Sequence, residues 1–192
     1  MSKSIKGSRT EKNLLKSFAG ESQARNRYSY SAKIAANEGY EQIAWIFDVT
    51  AEQERIHAKN YFKFLEGGDL EITASYPAGI IGSTIENLKA AAAGEHHEWT
   101  DLYPGFAKIA EEEGFPQVAA AFRSISVAEN AHEKRYLGLL ENLENNTAFK
   151  KPSKTVWQCR KCGYVSESPE APKKCPACGH PQGYFEVMSK NW

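Results

Sequence analysis

The sequence predicts a mainly α protein. A four-helix bundle occupies residues 1–147, and a small metal-stapled module of strands and loops occupies 154–192, with a linker at about 148–153. Composition changes at "TAFKKPSKTV": Ala, Glu, Leu and Lys dominate before it, and Pro, Gly and Cys after it. Gly39 and Gly114 each interrupt a long helical pattern, which folds the first part into two helical hairpins. All four cysteines fall in the last 34 residues, as two C-x-x-C pairs.

Each element has its own signal. "SRTE" (Ser8 to Glu11) and "STIE" (Ser83 to Glu86) read as capping boxes that open helices. The glycine in "NEGYEQIA" ends one helix, and "EEEGFPQVA" ends another and places Pro116 just inside the next. The predicted helices run over 9–38, 40–66, 83–113 and 115–145, with "EGGDLEITASYPAGIIG" (66–82) as the long crossover between hairpins. Helices of this length, about 45 Å each at 1.5 Å per residue, joined by one long crossover, form a four-helix bundle.

Lys+Arg and Asp+Glu are equal at 24 each, so no global basic field argues for nucleic acid. The start is polar and no apolar run is long enough to span a bilayer, so neither a signal peptide nor a membrane segment is expected, and the expected location is the cytoplasm. Paired cysteines in a reducing compartment serve as metal ligands more readily than as disulfides.

The two hairpins read as a repeat. "EQERIHAKNY" aligns with "VAENAHEKRY" at an offset of 75, pairing Glu54 with Glu129, His57 with His132 and Tyr61 with Tyr136. "AGES" aligns with "AGEH" at an offset of 74, pairing Glu21 with Glu95. Glu54–His57 and Glu129–His132 are both E-x-x-H, and residues three apart lie on one helix face. Glu21 and His57 each stand 18 residues from Gly39; Glu95 stands 19 and His132 18 from Gly114. All four helices therefore bring these groups to mid-bundle. One such glutamate or histidine alone reads as an ordinary solvated or core residue; two matched sets do not. Four buried carboxylates need cations. Oxygen-rich ligation with two imidazoles suits iron or manganese, with zinc as an alternative. One Glu from each of two helices plus E-x-x-H from the other two is the pattern of ferritin-like di-iron proteins.

In "GEHHEW" (94–99), helical phase places Glu95 and Glu98 on the metal face and turns His96 and His97 about 100° and 200° away. Glu98 is thus a seventh candidate ligand and the two histidines are non-ligands. Ala24 occupies the equivalent position in the first hairpin. Trp99 receives no role. Tyr28, Tyr61, Tyr103 and Tyr136 recur near the same face; core packing is their ordinary role, and Tyr28 and Tyr103 are candidates for a hydrogen bond to a ligand carboxylate. Cys159, Cys162, Cys175 and Cys178 form two knuckles that give a tetrahedral site for zinc or one iron; zinc makes a structural ribbon, iron a one-electron carrier.

"AGESQARNRY", "QERIHAKNYFKFLEGGDLE", "PAGIIG", "AAGEHHEW" and "CRKCGY…CPACGHP" together resemble the rubrerythrin family over essentially the whole chain. The resemblance implies a ferritin-like domain with two non-haem irons held by Glu21, Glu54, His57, Glu95, Glu98, Glu129 and His132. It implies a rubredoxin-like domain with one iron on Cys159, Cys162, Cys175 and Cys178, where zinc can substitute. It implies reduction of hydrogen peroxide to water as oxidative-stress protection, with electrons from a donor protein or reductase. It further implies a head-to-tail homodimer, and exchange of His57 for Glu98 as the iron pair is oxidised. Two other readings compete: a ferroxidase that handles iron, against which the four-cysteine module speaks, and a scaffold with a zinc ribbon, against which the buried carboxylates speak.

Overall fold

A computed structural model describes residues 3–191. Helix α1 spans Arg9–Asn37, α2 Glu41–Phe62, α3 Thr84–His97, α4 Tyr103–Glu112 and α5 Pro116–Glu144. A π-helical segment, Glu98–Leu102, joins α3 to α4 without a break in direction, so the three together form the third rod of the bundle.

The caps explain the boundaries. Ser83 and Glu86 form the complete box: Ser83 Oγ accepts from the Glu86 N–H and Glu86 Oε2 from the Ser83 N–H. At α1 the box is half formed; Ser8 Oγ accepts from the Glu11 N–H at 3.0 Å, but Glu11 reaches one residue further back, to the Gly7 N–H at 2.8 Å. Gly39 and Gly114 adopt φ of 85° and 79°, and the N–H groups of Tyr40 and Phe115 then reach back to Ala35 O and Ala110 O, each at 2.8 Å. These are the closures of two tight hairpins. Helix α2 stops at Phe62, short of the expected 66. The last turn tightens through Phe64 N–H to Tyr61 O and Leu65 N–H to Phe62 O, and Gly67 and Gly68 follow with positive φ. Glu66 serves the N-terminus instead, accepting from Ser4 Oγ and the Ile5 N–H.

The bundle core is divided in two. One cluster gathers Tyr28, Phe47, Leu88, Tyr136 and Leu140 toward the Gly39 end; the other gathers Leu14, Tyr61, Tyr103, Val118 and Phe122 toward the opposite end. A polar layer separates them, and it contains the candidate site.

Beyond α5, strands β1 (Lys150–Cys159), β2 (Val165–Glu170) and β3 (Phe185–Val187) form an antiparallel sheet in the order β2-β1-β3. Its small core is Trp157, Cys159, Ala171, Cys175 and Phe185. The sheet packs on the Gly39 end of the bundle. Phe149 stacks on Tyr40 with centroids 6.0 Å apart, and the Arg160 guanidinium lies 4.6 Å over the Trp45 ring. Gly183 approaches Gly39 so closely that a Cβ there would sit 2.1 Å from Gly39 O. Among the described residues, no helix is long and apolar enough to cross a membrane.

Candidate metal centres

The polar layer is built by four helices acting at one depth. Glu21 comes from α1, Glu54 and His57 from α2, Glu95 from α3, and Glu129 and His132 from α5. Glu21, Glu54, Glu95 and Glu129 are at most 1% exposed. Their donor atoms fall into two groups, each within 4.8 Å: Glu21, Glu54, His57 and Glu129 in one, Glu54, Glu95, Glu129 and His132 in the other. Glu54 and Glu129 belong to both, so two cations held by these groups would share two carboxylates.

The chemistry of these donors fits such a pair. Glu21 Oε2 and Glu95 Oε2 are buried without a hydrogen-bond partner, although buried polar atoms are normally paired. His57 Nδ1 lies 2.9 Å from both Glu54 and Glu129, and His132 Nδ1 lies 2.8 Å from Glu129 and 3.0 Å from Glu54. Both rings thus aim their Nδ1 atoms at the carboxylates. Without metal, protons take the place of the missing cations. Burial, and then repulsion from Glu129, pushes the Glu21 carboxyl well above its ordinary range. Burial pushes Glu95 up to about 8. Burial opposes the charge on each imidazole, but the facing carboxylates outweigh it and raise His57 to about 9 and His132 to about 12.

Glu98 stands apart from both groups. It is partly exposed, and its Oε1 lies 3.5 Å from the Tyr103 hydroxyl. Burial, and then repulsion from Glu95, raises its carboxyl well above the usual range. His96 and His97 are exposed and lie outside both groups. His96 Nδ1 pairs with Glu133 at 2.9 Å, and His97 Nδ1 approaches Asp101 at 3.7 Å.

Two tyrosines cross-brace the layer. Tyr28 on α1 donates to Glu95, and Tyr103 on α4 donates to Glu21 at 2.5 Å. Each hairpin thereby orients a carboxylate of the other. In an unbroken α-helix Tyr103, eight residues after Glu95, would stand about 80° off the Glu95 face. A π turn inserts one residue and returns it by about 100°. The Tyr61 and Tyr136 hydroxyls, on the same face, make no such bond to a carboxylate.

The residue that sequence reasoning missed is Trp99. Its indole Nε1 donates to Glu133 Oε2 at 2.5 Å, and its carbonyl accepts from Ser126 Oγ at 3.1 Å, so the π segment is tied to α5 at two points. Helical phase carries no signal for this contact, because the donor sits in a π turn.

The four cysteines form a second centre, with all sulfurs within 4.8 Å of one another. Gly163 and Gly179, at φ of 77° and 75°, close the two knuckles, their N–H groups reaching Cys159 O and Cys175 O. Backbone amides of Tyr164, Cys178 and His180 face sulfurs of Cys162, Cys175 and Cys178 respectively. Amides in these positions stabilise thiolates, the form that binds metal.

The family model described as "Rubrerythrin" matches residues 12–140, and that described as "Rubrerythrin, rubredoxin-like domain" matches 157–186. The chain is 64% identical over 192 residues to the rubrerythrin of Porphyromonas gingivalis, covering 100% of this chain and 96% of that one. It is 58% identical over 190 residues to the rubrerythrin of Nitratidesulfovibrio vulgaris, covering 99% and 100%. Among solved structures, fully reduced, all-ferrous nigerythrin superposes with a TM-score of 0.63 at 32% identity, covering 96% of this chain and 91% of that one.

Proposed function

The chain belongs to the rubrerythrin family, with a ferritin-like di-iron site and a rubredoxin-like four-cysteine site, and we propose that it is a peroxidase that reduces hydrogen peroxide to water. The observation that carries this reading is the presence in one chain of both donor sets: a buried carboxylate and histidine cluster that could hold two metals, and a four-cysteine cluster. A ferroxidase that stores iron needs no dedicated electron carrier. We assign Glu21, Glu54, His57, Glu95, Glu98, Glu129 and His132 to the iron pair and Cys159, Cys162, Cys175 and Cys178 to the single iron, with the division between domains at residues 148–153, of which 150–153 already form the start of β1.

An iron pair held by these residues would supply the two electrons that reduction of peroxide to two waters requires, with two protons. The protein's part is to hold and select. Tyr28 and Tyr103 fix the Glu95 and Glu21 carboxylates. His57 lies within the donor set and Glu98 lies just outside it, beside Tyr103. This arrangement supports an exchange of His57 for Glu98 on oxidation, because a carboxylate anion is attracted more strongly by the higher metal charge.

The two centres of one chain are far apart. The four-cysteine module packs at Gly39, and Glu21 lies 18 residues up α1, about 27 Å at 1.5 Å per residue. A head-to-tail homodimer would place the module of one chain beside the iron pair of the other. An electron-donor protein or reductase then refills the single iron, and the setting is cytoplasmic protection against peroxide. The test is steady-state peroxide consumption from an electron donor, with wild type and Cys162→Ser. Turnover that collapses in Cys162→Ser, while its pre-reduced iron pair still consumes one equivalent, supports the reading; equal turnover makes the module a structural ribbon and removes the relay.

A further inference from the structure

A cleft of about 390 Å³ leads from the surface to Glu98 and Tyr103. Its outer wall is the crossover strap, Thr73 to Pro77, and its inner walls are α1 and α3. The strap is pinned across the opening: the Tyr76 hydroxyl donates to Lys16 O at 2.7 Å, and the Tyr76 ring lies 3.6 Å from where a Cβ on Gly20 would be.

Two helix-interior glycines, Gly20 and Gly94, line this cleft. Alanine is the better helix former at such positions. A Cβ at Gly94 would meet nothing within 4 Å, and one at Gly20 would meet only Tyr76 at ordinary contact distance. Neither glycine is required by positive φ or by close packing. What both do is leave the passage beside Glu95 and Glu21 open.

We propose that this cleft is the port by which a small uncharged hydroperoxide reaches the iron pair, and that Tyr76 sets the size limit while Gly20 and Gly94 keep the passage clear. The inference rests on the peroxidase reading for its substrate but not for its geometry. Lys16 and Arg27 stand in the lining, Glu98 lies at the inner end with its carboxyl raised well above the usual range, and the wall between is largely apolar, with Pro77, Leu102 and Phe106. Such a passage, narrow and largely apolar, admits a small uncharged molecule. Reduction of any hydroperoxide has the same balance: the O–O bond breaks, two electrons come from the ferrous pair, and two protons yield an alcohol or water plus one water. Size at the port is therefore what separates hydrogen peroxide from bulkier hydroperoxides.

The test compares oxidation of the pre-reduced protein by hydrogen peroxide and by tert-butyl hydroperoxide, in wild type, Tyr76→Ala and Gly94→Leu, by stopped-flow absorbance. Tyr76→Ala should raise the rate ratio of tert-butyl hydroperoxide to hydrogen peroxide at least about tenfold, and Gly94→Leu should slow both by a similar factor, the scale of steric discrimination in a pocket. A metal-independent readout accompanies it: xenon pressed into wild-type crystals should occupy the cleft between Gly20 and Tyr103, and should be absent from it in Gly94→Leu. Unchanged rate ratios in Tyr76→Ala, or a wild-type cleft that takes up no xenon, overturns the port. Should wild type itself fail to react with hydrogen peroxide, the peroxidase reading falls, and the xenon result alone decides the port.

Discussion

The Tyr103 hydroxyl donates to Glu21 at 2.5 Å across the bundle, from the third rod to the first. Its counterpart by the internal repeat is Tyr28, which donates to Glu95 in the reverse direction. The braces hold two buried carboxylates with their remaining oxygens, Glu21 Oε2 and Glu95 Oε2, free of hydrogen bonds. Replacing Tyr103 with Phe removes the brace on Glu21 and leaves the fold intact. Metal affinity or turnover should fall about 10- to 100-fold, as for other groups that orient a ligand. Iron titration monitored by absorbance, together with peroxide turnover, checks this; unchanged values of both would make the bond incidental.

The Trp99–Glu133 bond anchors the π segment beside Glu98. Trp99→Phe keeps the ring and deletes the donor. A hydrogen bond to a charged group contributes about 1.5–3 kcal/mol, so Tm should drop about 3–12 °C for a chain of this size. Turnover should fall more than stability alone explains, while the visible spectrum of the four-cysteine iron stays the same. A drop in Tm without a change in turnover would restrict Trp99 to structural support.

How much of this was legible in the sequence can be read from the repeat. The helices, hairpin glycines, E-x-x-H pairs and cysteine knuckles all follow from local pattern, because each depends on spacing within one element. The π segment does not appear as a pattern, yet it leaves a trace. The repeat offset is 74 at Glu21/Glu95 and 75 at Glu54/Glu129, so one residue is inserted between them, and the structure accommodates it in the turn after Glu98. Tyr28 and Tyr103 are separated by 75, beyond the insertion. The Trp99–Glu133 contact and the strap over the cleft depend on how rods and crossover pack in three dimensions, which spacing along one chain does not encode. The half-formed cap at Ser8 is a similar case: Glu11 finds the Gly7 amide only because the chain bends there.

Metal removal should make stability depend on pH. In the metal-free protein Glu95 is held up to about 8 from 4.5, and His132 up to about 12 from 6.5. A group whose folded pKa is raised binds its proton more tightly in the folded state. Its contribution is fully present below the unfolded value and is lost as pH rises through the folded value. The metal-free bundle should therefore lose stability from about pH 4.5 to about pH 8 through Glu95 and from about pH 6.5 to about pH 12 through His132, and metal binding, which displaces those protons, should strengthen over the same range. Thermal unfolding of metal-free and iron-loaded protein across this range measures it. A metal-free protein that gains stability as pH rises would contradict the protonated, metal-ready site.

Glu98 lies outside the donor groups of both metals, and the fold does not require it, since Ala24 fills the equivalent place. Glu98→Ala should load two irons, raise the di-iron reduction potential and slow peroxide turnover. Crystal structures of reduced and oxidised wild type decide the exchange itself. One iron should hold His57 when reduced and Glu98 when oxidised; the same protein ligands in both states would end the switching role.

The central claim, that this chain spends its three irons on peroxide, is tested most directly by anaerobic titration of the fully reduced protein with hydrogen peroxide, following the ferric-thiolate absorbance and the ferrous count together. The expected result is that one equivalent of peroxide per chain removes two of the three ferrous electrons and forms two waters without release of dioxygen, and that the four-cysteine iron turns ferric as it passes its electron to the pair, so that one and a half equivalents leave all three irons ferric. Ferrous iron that survives excess peroxide, or a four-cysteine centre that stays reduced while the pair is oxidised and remains so, would contradict it.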